Sequence, residues 1–212
     1  MSVEAILFIA TGAAFAGFVN GLAGFGTALF SLGWWLQVMD PIDAVALALA
    51  ISVLTGFQGV WIVRQEIEPR RLAVFLLPAF IGIPIGLSLL DRLSPEPLKL
   101  LVGGFLLAYG LFFSLRRNLP AITRPMPLID GVVGFLGGLL GALASLSGAI
   151  PTIWLSLRPW PKAKTRALLQ SFNMTVLTIS TILLAFKGVY DSNVLLALAI
   201  ATPVALAGAQ VG

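Results

Sequence analysis

Asn20-Gly21-Leu22-Ala23-Gly24-Phe25-Gly26-Thr27 interrupts the first long apolar run of this chain. Three glycines close together let the backbone turn and bare its amide N–H groups. Thr27 stands where a new short helix would begin. A second interruption comes at Ser145-Leu-Ser-Gly-Ala-Ile-Pro151. Around the two breaks the chain is built of long hydrophobic segments. Of the 212 residues, 58% are hydrophobic and 10% charged, whereas soluble domains carry roughly 25% charged residues. Ala44–Val63, Leu72–Leu90 and Leu98–Leu115 each approach the ~20 residues that a helix needs to cross a bilayer. The fold class is therefore an all-α, polytopic membrane protein.

The remaining segments follow from hydropathy and turn residues. Val3–Asn20 is apolar, and its lack of a basic leading region marks it as a retained span rather than a signal peptide. A short run, Thr27–Val38, ends at Asp40-Pro41, and Asp43–Val63 spans. Leu72–Leu90 carries Pro78 and Pro84, which are expected to bend it. After the polar stretch Arg116–Pro127 come Leu128–Ala144, the second break, a short run Thr152–Leu157, and the spans Ala167–Phe186 and Asn193–Gly212.

The two halves read as repeats. Ala16-Gly17-Phe18-Val19-Asn20-Gly21-Leu22-Ala23-Gly24 lies on Val133-Gly134-Phe135-Leu136-Gly137-Gly138-Leu139-Leu140-Gly141 with three glycines matched. Pro41 and Pro161 then match, each before a long helix. The expected organisation is a first repeat at 1–116, a cytoplasmic linker at 117–126 and a second repeat at 127–212. The first half has three long spans after its short run and the second only two, so a last helix is expected to be missing from the chain.

Charge decides the geometry of the breaks, because cytoplasmic loops carry the excess of Lys and Arg. If each broken unit crossed once, the two faces would hold six and seven basic residues, which is no bias. If each unit enters and returns as a hairpin, full or re-entrant, ten share one face and only Arg92, Lys99 and Lys187 lie on the other. The hairpin is favoured, with the N-terminus outside. Each half then becomes a hairpin followed by spans, and the halves are inverted repeats. That architecture recurs in secondary transporters, whose substrate site lies near the midplane at discontinuous helices.

The breaks are accordingly the candidate site. Irregular backbone at membrane depth is tolerated where protein or a water-lined cavity surrounds it, and a helix start suits an anion. Asn20, Gly24, Gly26 and Thr27 offer this chemistry in the first half, and Ser145, Ser147, Gly148 and Thr152 in the second. Gln170 and Asn173 share a helix face after the second basic loop. Gln58 is a lone amide in the first half, and Arg166 reads first as a topology anchor. The alternative for the glycines and serines is close packing between helices.

Several classes are excluded. With no Cys and no His, thiol chemistry, zinc sites and imidazole shuttles are ruled out. No carboxylate falls in the middle of a span, so no buried proton relay is visible, and no set for membrane-embedded hydrolysis is present. The chain is expected not to be an enzyme and to need no cofactor.

Three stretches resemble the TauE/SafE family, the sulfite exporter-like membrane permeases. They are Gly17-Phe-Val-Asn-Gly-Leu-Ala-Gly-Phe-Gly26, Leu146-Ser-Gly-Ala-Ile-Pro-Thr-Ile-Trp154 followed by Leu157-Arg-Pro-Trp-Pro-Lys162, and Gln170-Ser-Phe-Asn173. Family members often have Pro directly after the Ser-Gly pair, where this chain has Ala149. The resemblance implies transport of a small organic or inorganic sulfur oxyanion, such as sulfite, sulfoacetate or thiosulfate. The expected location is the bacterial cytoplasmic (inner) membrane, multi-pass. The expected partners are that anion and the lipid bilayer, with no nucleic acid and with homodimerisation left open. The competing readings are an anion channel, which would need a continuous polar pore, and a membrane scaffold or assembly protein.

Overall fold

Prolines set where most of the helices begin. Pro41, Pro69, Pro95 and Pro127 are each the first residue of a helix, and Pro161 directly precedes another. The first helical position needs no N–H donor and fits the fixed φ of proline. In the computed structural model, which describes residues 1–23, 26–115 and 121–211, the helices are α1 (Val3–Ala23), α2 (Thr27–Trp35), α3 (Pro41–Val63), α4 (Pro69–Leu90), α5 (Pro95–Leu115), α6 (Pro127–Ala144), α7 (Ala149–Ser156), α8 (Lys162–Phe186) and α9 (Ser192–Val211). No strand occurs among the described residues. Gly24, Arg116, Arg117 and the Gln58 side chain lie outside what is described.

The helices match the hydropathic segments but start earlier. α8 begins five residues before its apolar run, at Lys162, because its first turn is polar and lies outside the greasy part of the span. α4 runs unbroken through Pro78 and Pro84. α3 bends by 42° between Phe57 and Gly59; Gly56 and Gly59 there offer little side-chain restraint.

Six helices (α1, α4, α5, α6, α8 and α9) are long and apolar enough to cross a membrane, and the bent α3 makes a seventh. α2 and α7 are not. With nine and eight residues they extend about 12–14 Å, less than half of the ~30 Å hydrocarbon layer. Each folds back on the helix before it. The Trp35 Nε1 donates to the Ile9 carbonyl at 3.1 Å, and Trp34 stacks on Phe15. The end of α2 therefore lies beside the first half of α1. Likewise the Trp154 Nε1, near the end of α7, donates to Asp130 in the first turn of α6 at 2.6 Å.

The centre is α3 against α8. Ala44, Val45, Ala46, Leu47, Ala48, Leu49 and Ile51 are wholly buried, so the first half of α3 is covered on every side, as a helix apolar all round must be. The most extensive packing around it is α4 on α6 and α1 on α9. Both contacts depend on missing side chains. A Cβ at Gly134 of α6 would overlap the Phe75 backbone, and one at Gly17 of α1 would overlap the Ala205 backbone. α5 is peripheral, with Leu100, Leu107, Leu111 and Leu115 exposed, as a lipid-facing helix would be.

Ion pairs fix the ends. Lys164 meets Glu68 at 2.7 Å and Lys187 meets Asp91 at 2.5 Å. α4 and α8 thus run in the same direction. The segments around 64–71, 121–127 and 157–166 gather at one end, joined also by the Ile122 N–H donating to the Leu157 carbonyl at 2.8 Å. The polar turns near Asp91 and Lys187 share the other end.

Candidate functional site

Each helix break contains a left-handed residue. Gly26 caps the start of α2 at φ 95°, a conformation open to glycine without steric cost. Ser145 closes α6 at φ 55°. Its N–H donates to the Gly141 carbonyl, and the Leu146 N–H reaches back six residues to the Leu140 carbonyl at 3.1 Å, so the turn itself satisfies carbonyls that the helix end leaves open. A side-chain-bearing residue pays about 1–2 kcal/mol to hold this conformation. The turn delivers Ser147 and Gly148 to the start of α7.

The two breaks meet. One cavity is lined by Asn20, Gly26 and Thr27 from the first and by Ser145, Leu146, Ser147, Gly148 and Ala149 from the second. α3 adds Ser52 and Gly56, and α8 adds Gln170, Asn173, Met174 and Leu177. Asn20, Thr27, Ser147, Gln170 and Asn173 are all buried. The Ser147 hydroxyl donates to Asn173 Oδ1 at 3.0 Å. With that oxygen occupied, the Asn173 amide nitrogen is turned to Gly148, where a Cβ would stand 2.8 Å from it. A Cβ at Gly59 would likewise overlap the Gln170 amide. These two glycines make room for the two amides of α8.

Among the described residues, no charged side chain lines this cavity. Its polar groups are amides, hydroxyls and the backbone at the starts of α2 and α7. Such a set can hold an anion through hydrogen bonds and helix-start polarity, without an opposing full charge. The space open to water centres is ≈ 30 Å³, room for about one or two waters.

A second cavity, of ≈ 200 Å³, shares Asn20, Gly56 and Gln170 with the first and continues past Thr55 and Ile62 to Arg166. Arg166, near the basic end, is among the residues that line it. Toward the opposite end lies the buried start of α3, where the Tyr190 hydroxyl donates to the Ala46 carbonyl at 3.0 Å.

Of the residues expected from the sequence, Asn20, Gly26, Thr27, Ser145, Ser147, Gly148, Gln170 and Asn173 come together. Gly24 lies outside the described residues. Thr152 does not line the cavity; one turn further along α7, its hydroxyl is beside the Tyr109 phenol of α5. Ser52 was not singled out by sequence. It is one hydroxyl in an apolar run, and its Oγ donates to the Ala48 carbonyl at 2.7 Å while lying 3.5 Å from the Ser145 hydroxyl.

Arg158 is the larger surprise. Read as a loop charge, it is 7% exposed. Its Nη2 pairs with Asp130 at 3.0 Å, its Nη1 donates to the Arg124 carbonyl at 2.5 Å, and it lies over the Trp154 ring at 4.8 Å. Asp130, Trp154 and Arg158 together clamp the end of α7 to the start of α6.

The family model for Sulfite exporter TauE/SafE matches residues 9–212. No curated protein and no solved structure matches the chain.

Proposed function

The chain belongs to the sulfite exporter TauE/SafE family, and from that premise we propose that it is a secondary carrier for a small sulfur-containing anion, sulfite or a sulfonate. The observation that carries this reading is the uncharged, hydrogen-bonding cavity where both helix breaks meet. A sulfur oxyanion offers several acceptor oxygens. Asn20, Thr27, Gln170 and Asn173 offer donors around one point, the Ser147 hydroxyl holds the Asn173 Oδ1 so that the amide nitrogen is left to donate, and Gly26 and Gly148 let backbone N–H groups approach. The same cavity holds too little free space for a sulfonate with these side chains at rest, so binding needs the breaks to part.

The carrier is built of two inverted repeats, 1–116 and 127–212, joined by a cytoplasmic linker. Exchanging α1 with α6 and α4 with α9 turns one of the two main packing pairs into the other, and Gly17 and Gly134, equivalent by sequence, play the same part in each. The basic end faces the cytoplasm, since that is where Lys and Arg accumulate, and the N-terminus lies outside, in the bacterial inner membrane. In the conformation described, the path by Arg166 leads to the cytoplasm while Tyr190 and the start of α3 seal the outer end. Rocking of one hairpin unit against the other would reverse that access.

The test is uptake of radiolabelled sulfite or sulfoacetate into proteoliposomes. A saturable flux that Asn173→Leu abolishes is the expected result. Flux equal to that of protein-free vesicles for every sulfur anion tried, with correctly folded protein, would remove the reading.

A further inference from the structure

The basic end holds a cavity that shares no residue with the central one. It measures ≈ 390 Å³ and lies between the starts of α4 and α6 and the segment after α7. Arg71, Arg158, Thr123 and Trp160 supply its polar and aromatic side, and Val74 and Pro127 belong to an apolar wall.

Its two arginines are held in place but not fully used. Arg71 gives its Nε to Glu68 at 2.8 Å and rests on the Trp160 ring at 4.6 Å, which leaves its Nη donors for another acceptor. Arg158 spends both Nη groups on Asp130 and the Arg124 carbonyl, yet its buried Nε has no acceptor among the described residues. An unmet donor on a buried charged group is costly to the fold. The acid in the cavity, Asp130, is already turned to Trp154 and Arg158.

We infer that this cavity is a second anion site, for a phosphate-type oxyanion group, presented either by an anionic lipid headgroup or by a free ion. Planar guanidinium groups suit tetrahedral oxyanions, which accept two N–H bonds in parallel. The apolar wall beside the arginines fits the glycerol and first methylenes of a lipid, and basic pockets on the cytoplasmic side of membrane proteins take such headgroups. The site is separate from the transport cavity and does not depend on the substrate carried there.

The test uses the full chain in a nonionic detergent and native mass spectrometry with two probes, inorganic phosphate and dioctanoyl phosphatidylglycerol. One-to-one saturable binding of at least one probe is expected, with about tenfold weaker binding in Arg71→Gln, the loss of one charge-assisted hydrogen bond. The Arg71 side chain is 45% exposed, so this variant keeps the fold, which its melting midpoint checks. Phosphate binding that competes with the lipid identifies a free-ion site; lipid binding that phosphate does not displace identifies a headgroup site. Absence of saturable binding by either probe, or unchanged affinity in folded Arg71→Gln, would overturn the inference.

Discussion

Replacing Gly134 by alanine adds one methyl group where α6 crosses α4. That Cβ would stand 2.7 Å from both the carbonyl carbon and the Cα of Phe75, and closer still to its oxygen. Ordinary contact begins near 3.4 Å, and the opposing atoms are backbone, so no side chain can swing aside. The helices must separate by about 0.7 Å or more, and that opening spreads to Gly138, where a Cβ would stand 2.7 Å from the Ala79 Cα. Overpacking of this kind costs about 1–3 kcal/mol. Against it stands the helix propensity of alanine, worth roughly 0.5–1 kcal/mol over glycine. The contact term wins, and a net fall of roughly 2–8 °C in the melting midpoint is expected at about 2–4 °C per kcal/mol. Gly104→Ala on α5 is the control. Nothing lies within 4 Å of its added Cβ, so only the propensity gain remains and the midpoint should hold or rise slightly. Thermal melting of both variants in one detergent makes the comparison. A Gly134→Ala midpoint at or above wild type would refute the close helix contact and, with it, the placement of α6 against α4.

Other expectations follow from single features. Ser145→Gly relieves the left-handed strain at φ 55° and is expected to stabilise by about 0.5–1 kcal/mol; a lower midpoint would mean the hydroxyl matters more than the backbone. Asp130→Asn leaves the buried Arg158 guanidinium without its counter-charge and should destabilise by about 3 kcal/mol, with proteolysis near residues 121–127 as a second readout of a loosened α7. The Lys164 hydrogen bond, opposed by desolvation and aided by the charges of Arg71 and Lys164, holds the Glu68 carboxyl below its ordinary value. A depressed carboxyl stabilises the fold above its unfolded pKa, and that contribution fades as pH falls through the folded value. Melting midpoints of wild type and Glu68→Gln should therefore differ most at neutral pH and converge in acid.

Much of this architecture is legible in the sequence because a bilayer forces simple choices. A twenty-residue apolar run must be helical, and basic residues mark where it ends, so the spans could be read from Ala44–Val63 or Leu98–Leu115 directly. The breaks were legible because a cluster of small residues, then a short apolar run, a proline and a long helix recur in the same order in both halves. Eight of the expected site residues meet in one cavity, since the amides and hydroxyls of an apolar helix have few places to go. What escaped has a physical reason too. Ser52 sits in α3 with nothing in its neighbours to show that this turn faces the second break. Arg158 reads as one more loop charge, and only the pairing with Asp130, 28 residues earlier, reveals that it is buried. Thr152 shares its type and neighbourhood with Ser147, but the pitch of α7 carries it past the cavity to Tyr109.

The most direct test of the central claim, that the two breaks form one anion site, is sulfite flux through proteoliposomes bearing Thr27→Val or Ser147→Ala. The first removes a donor from α2 and the second removes the hydroxyl that orients the Asn173 amide, and neither replacement adds bulk. The account predicts that both variants raise the KM for sulfite several-fold while folding normally. Wild-type KM in both would contradict it.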